Sequence, residues 1–119
     1  MHFMSLYKPG RDADGPPDPL AMAKLGGLVE EMSRNGSLVA TNGLQPSSKG
    51  ARVRISGDRL TVTDGPFAET KELIAGYAIL EAPSKEAAVE LAKRFLRVMG
   101  EGECEVRPMF DAASGGCVG

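Results

Sequence analysis

The sequence predicts an α+β fold in which two helices cover one face of an antiparallel sheet, and three observations predict it. Apolar residues recur at helical spacing in two separate windows, within residues 19–34 and 84–99. Short runs rich in strand formers, several of them alternating, fill the windows around these helices. Between two of the strand-like segments lies Asp64-Gly65-Pro66-Phe67-Ala68-Glu69-Thr70-Lys71-Glu72, which concentrates a turn signal, an aromatic ring and four charged side chains. Proline fixes its own φ and pushes the preceding residue out of the helical region, so Gly65-Pro66 bends the chain there.

A chain of 119 residues supports one domain with one core, assigned to residues 1–110, with a flexible glycine-rich tail over 111–119. The formal net charge of −2 and the pI near 5.4 argue against a nucleic-acid or anionic-membrane partner, since no basic stripe is present. No apolar run approaches the ~20 residues that span a bilayer. The first seven residues read as a strand and not as a signal peptide. Cys104 and Cys117 therefore read as free thiols of a cytoplasmic protein. No P-loop, dinucleotide fingerprint or conventional zinc set occurs, and no cofactor is expected.

The first strand covers residues 2–7 and ends at Lys8-Pro9-Gly10. Asp18 caps the first helix and Pro19 occupies its first position. Leu25, Leu28, Val29 and Met32 form its apolar stripe, and Asn35-Gly36 stops it. Gly26-Gly27 lowers the helix's intrinsic stability, an expense that close packing against the sheet is expected to offset. A short strand over 37–41 leads to a polar connector containing Gln45-Pro46-Ser47. The runs 51–56 and 59–64 flank Gly57-Asp58 as a hairpin. Residues 73–82 are nearly continuous apolar sequence and read as a central strand. Ser84 caps the second helix, whose stripe is Ala88, Leu91, Ala92 and Phe95, and a last strand alternates over 103–109.

Without the hairpin this order is βαββαβ, the ferredoxin-like arrangement, with the hairpin as an insertion. A strand apolar on both faces leaves one of them uncovered in a two-layer domain. A homodimer closing sheet against sheet resolves that conflict and leaves a space between the sheets.

The stretch from Asp64 to Glu72, continued by Gly76-Tyr77, resembles the signature of the DGPF group of YCII-related proteins. Leu44-Gln45-Pro46-Ser47, Glu105-Val106-Arg107-Pro108 and the strand ending in Lys8 extend the likeness over about residues 2 to 110. The resemblance implies a dimeric α+β barrel of ferredoxin-like subunits. Some members are encoded beside extracytoplasmic-function sigma factors, so it also implies a functional link of that kind as one option. Better-studied YCII relatives have been proposed to act through a His–Asp pair in the cleft. The helix at 19–34, where such a histidine would lie, contains none.

Asp64 is the leading chemical candidate, either as a general acid or base beside an apolar cleft or as an Asx-turn carboxylate held by backbone donors. It is expected at the mouth of a cleft with Lys71 near enough to pair. Glu69 and Lys71 suit either a ligand or a solvated charge run. Arg107, on the strand face of Glu105, can hold an anion or belong to a charged network. Lys8, Gln45 and Ser47 complete the candidate ligand-binding set. His2 reads as a surface histidine and Cys104 as a buried, inert thiol. Two functional readings follow. One is a dimeric module that binds a small, anionic molecule or a regulatory partner near the inter-sheet cleft. The other is a cofactor-independent isomerase, lyase or hydrolase using Asp64. The missing acid–base partner favours binding.

Overall fold

A computed structural model describes residues 1–11, 18–69 and 72–110. The elements run β1 (His2–Lys8), α1 (Pro19–Arg34), β2 (Leu38–Gly43), β3 (Ala51–Ser56), β4 (Arg59–Asp64), β5 (Gly76–Glu81), α2 (Lys85–Met99) and β6 (Glu103–Pro108). Strands β2-β5-β1-β6 form one antiparallel sheet, and β3 pairs with β4 in a separate two-stranded ribbon. This is the α+β, ferredoxin-like order expected, with the hairpin inserted between β2 and β5.

Local chemistry sets the helix ends. The Asp18 carboxylate accepts from Leu20 N–H at 3.2 Å, and Ser84 Oγ accepts from Ala87 N–H at 3.2 Å, each satisfying an orphan donor of a first turn. Gly100 adopts a left-handed φ of 86° at the end of α2, a conformation that costs a side-chain-bearing residue more. Arg94 of α2 reaches both carboxylate oxygens of Glu31 on α1, at 3.0 and 2.9 Å, and ties the helices together. Between the helices and the sheet lie Phe3, Leu28, Met32, Leu38, Leu80, Ala82 and Ala88. Tyr7 joins the same side by an edge-on contact with Phe95, centroids 5.0 Å apart, and its hydroxyl donates to the Glu101 carbonyl.

Among the described residues, the other sheet face has no second layer. Register places Met4 opposite Ile79 and Leu6 opposite Tyr77 on it, with Ala40 and Asn42 flanking and Glu105 and Arg107 beyond. Its apolar residues are half-buried.

Two expectations need correction. The apolar run at 73–82 is not strand throughout, for β5 begins at Gly76. Leu73 and Ile74 leave the sheet to wall a cavity, while Ala75 still bonds to both neighbours, through Tyr7 C=O and Leu44 N–H, each at 2.8 Å. Nor do Gly26 and Gly27 pack closely. Both are exposed, and a methyl at either position meets nothing within 4 Å.

The hairpin follows the expected boundaries, from Ala51↔Asp64 to Ser56↔Arg59, with Gly57 at φ 62° in the turn. All its residues are exposed. Val53, Ile55, Leu60 and Val62, which share one face as cross-strand pairs, are 70, 66, 67 and 67% exposed. The ribbon is an arm, attached at its root and uncovered along its length. The Cα radius of gyration, 16.0 Å, exceeds the ~13.5 Å of a compact chain this long.

Candidate functional site

The root of the arm is fastened to the turn at 46–50. Gly65 N–H donates to the Gly50 carbonyl at 3.0 Å, and Phe67 N–H donates to Ser47 Oγ at 3.0 Å. A side chain at Gly65 would overlap the Ser47 carbonyl, so glycine is required there by close backbone approach. Arg52 of β3 lies over the Phe67 ring, 4.0 Å from its centroid, and donates from Nη1 to Glu69 Oε2 at 2.9 Å. A guanidinium over an aromatic face gains from the ring quadrupole as well as from the ion pair. The Glu69 carboxyl sits below its usual range, first through a hydrogen bond from its own backbone N–H and then through Arg52. The segment 64–69 is thus a clamp: Gly65 permits contact, Phe67 supplies a surface and Glu69 fixes Arg52.

Against this clamp lies a cavity of about 260 Å3. Leu44, Leu73, Ile74 and Ala75 give it an apolar wall, while Arg11, Arg52, Gln45, Ser47 and Glu72 bring polar groups to it and Phe67 adds a ring. Two guanidinium groups, an amide and a hydroxyl beside an apolar wall suit a small organic molecule bearing a carboxylate or phosphate.

The sequence-derived candidates divide into groups. Gln45 and Ser47 line the cavity, and Glu69 stands behind it through Arg52. Lys8 is one step away: its Nζ lies 3.4 Å from Glu72 Oε2 and 3.1 Å from Glu105 Oε1 on the open sheet face. Its side chain is 14% exposed, and the Glu105 hydrogen bond, then the Glu72 charge, hold its ammonium above the usual lysine range against the opposing effect of burial. Arg107 is farther still, mostly exposed, with Nε 3.8 Å from Glu105 Oε2. Asp64 is exposed at the arm root opposite Ala51 and is not among the cavity-lining residues. Lys71 lies outside the described residues.

Sequence reading missed Arg11, Arg52 and the wall at 73–75. Arg52 is one of two arginines opposite the Val53 and Ile55 face of an alternating strand, a pattern that does not by itself mark a site. Only the pairing register and the return of Phe67 beneath it reveal the contact. Cys104 is half-buried, and burial chiefly, with a smaller contribution from Glu103 and against a hydrogen bond with Ser5, raises its thiol pKa. A thiol so placed is a poor nucleophile. His2 Nε2 lies 2.8 Å from Glu81 Oε2 at the surface. No helix among the described residues is long and apolar enough to cross a membrane.

A ferredoxin-like α+β subunit with an inserted arm and a cavity at its root defines the class. The family model for the YCII-related domain matches residues 1–112, and the chain belongs to that family. It is also similar to an uncharacterized protein of Rhizobium meliloti (strain 1021), 31% identical over 93 residues, covering 77% of this chain and 75% of the relative.

Proposed function

We propose that this YCII-related chain is a binding module for a small organic anion, working as a homodimer, with the cavity at the arm root as its site. The observation that carries the reading is the pairing of Arg11 and Arg52 with Gln45 across an apolar wall. Arg52 arrives already oriented by Phe67 and Glu69, so little of its side-chain freedom is lost on binding. The position of Asp64 outside the lining favours binding over Asp64-driven catalysis.

A thermal-shift screen of small carboxylates and phosphate esters tests it. A ligand at about 100 times its Kd stabilises by ~2.7 kcal/mol. Hits should be lost in Arg11→Ala and Gln45→Ala, which leave the unliganded melting temperature unchanged. Hits that survive both substitutions, or a panel with no hits, would contradict the reading.

A further inference from the structure

The apolar face of the arm is an exposed apolar surface without a covering layer among the described residues. Val53, Ile55, Leu60 and Val62 stand in two directly opposed pairs, each about two-thirds exposed or more. An isolated two-stranded ribbon is at best marginally stable in water, and a long apolar ribbon face invites association. The reverse face carries Arg52, Arg54, Thr61 and Thr63, with Arg52 at the cavity. The arm is therefore amphipathic, with the cavity on its polar side and none of the described residues covering the other.

We propose that this apolar face is a subunit interface whose occupant is a second copy of the chain. Each copy offers the exposed arm face and, on the open sheet, a half-buried apolar strip of Met4, Leu6, Tyr77 and Ile79. A two-fold dimer brings the same surface from each copy together, as a self-complementary interface requires. Burying one side chain of this size removes on the order of 60–120 Å2 from water. Eight such side chains from two arms supply about half of the ~1,600 Å2 of a standard interface, and the half-buried sheet strips add a smaller share that brings the total toward the lower end of the standard range. The inference rests on the homodimer part of the reading above and adds what holds the arm. Docking the apolar side would also fix Arg52 on the cavity side.

Light scattering across the micromolar range, on the full chain and on an Ile55→Lys/Leu60→Lys double variant, tests it. The wild type should be dimeric, and the variant's dimer dissociation constant should rise by at least ~100-fold. A dimer that dissociates equally in both would overturn the arm interface and leave the homodimer standing. A wild-type monomer throughout would overturn both, while the ligand screen would still judge the cavity separately. Should the variant not fold, a benzophenone side chain at Val53 in a mixture of 14N and 15N chains gives an independent answer. Cross-links between isotopes support the interface, and cross-links confined to one copy, or none, overturn it.

Discussion

The four-stranded sheet and the β3–β4 arm use the same alternation of apolar and polar residues, yet they end in opposite conditions. In the sheet, Phe3 and Leu80 are 1 and 2% exposed because α1 and α2 lie over them. In the arm, Val53 and Ile55 obey the same period and are 70 and 66% exposed. Alternation specifies a ribbon with an apolar face, but burial needs a second layer, and among the described residues only the sheet has one. The arm depends instead on its clamp.

The largest way to break this contrast lies in the sheet. Phe3→Ala should lower stability by about 3–5 kcal/mol, because it opens a cavity under both helices. Urea denaturation checks it, and Val62→Ala, measured at low protein concentration, should cost far less. A loss of similar size at both sites would show the arm to be packed within its own chain.

Next in size is the clamp. Gly65→Ala drives a methyl into the Ser47 carbonyl and should cost about 1–3 kcal/mol, typical of overpacking. Hydrogen exchange should localise the damage to residues 47–67 and spare β1 and β5. Uniform loss of protection would mean that the root is integral to the core.

The sequence made the helices legible because their signals are local: Asp18, Ser84, Asn35-Gly36 and Gly100 each act within one turn. The hairpin was equally legible, since its register follows from a two-residue turn. The cavity was not. Its walls come from the ends of β1 and β2, the lead-in to β5 and the reverse face of β3, brought together only by tertiary pairing. Gly65-Pro66 announced a bend, but nothing nearby announced that Gly65 would touch the backbone of Ser47. The Gly26-Gly27 pair misled in the other direction, because glycine signals close approach only when something is close.

That last point gives a smaller effect of opposite sign. Gly27→Ala places its methyl in open space on an exposed helix face, so it should stabilise by about 0.5–1 kcal/mol. A thermal melt checks it. Destabilisation would reveal a neighbour that covers this face.

The smallest expected effect is electrostatic and separates the arm root from the sheet. Glu69 has a lowered pKa in the folded protein, so its contribution is present above the ordinary glutamate value and is lost as pH falls through the folded one. Lys8 has a raised pKa, so its contribution is present below the ordinary lysine value and is lost as pH rises through the folded one. Acid should therefore loosen Arg52 from Phe67 while the Lys8–Glu105 contact responds to alkali. Chemical shifts of the Phe67 ring and of Lys8 Nζ, followed across pH in 0.15 M salt, read the two separately. Coincident transitions would contradict the assignment.

The central claim is that the arm owes nothing to its own domain beyond the root and is covered by a second copy. Native-state hydrogen exchange at two protein concentrations, one at the upper and one at the lower end of the micromolar range, tests it most directly. Amides of residues 53–62 should be protected at the higher concentration and exchange near their unprotected rates at the lower. Helix-covered β1 and β5 should retain protection at both. Arm amides equally protected at both concentrations, or unprotected at both, would contradict the account.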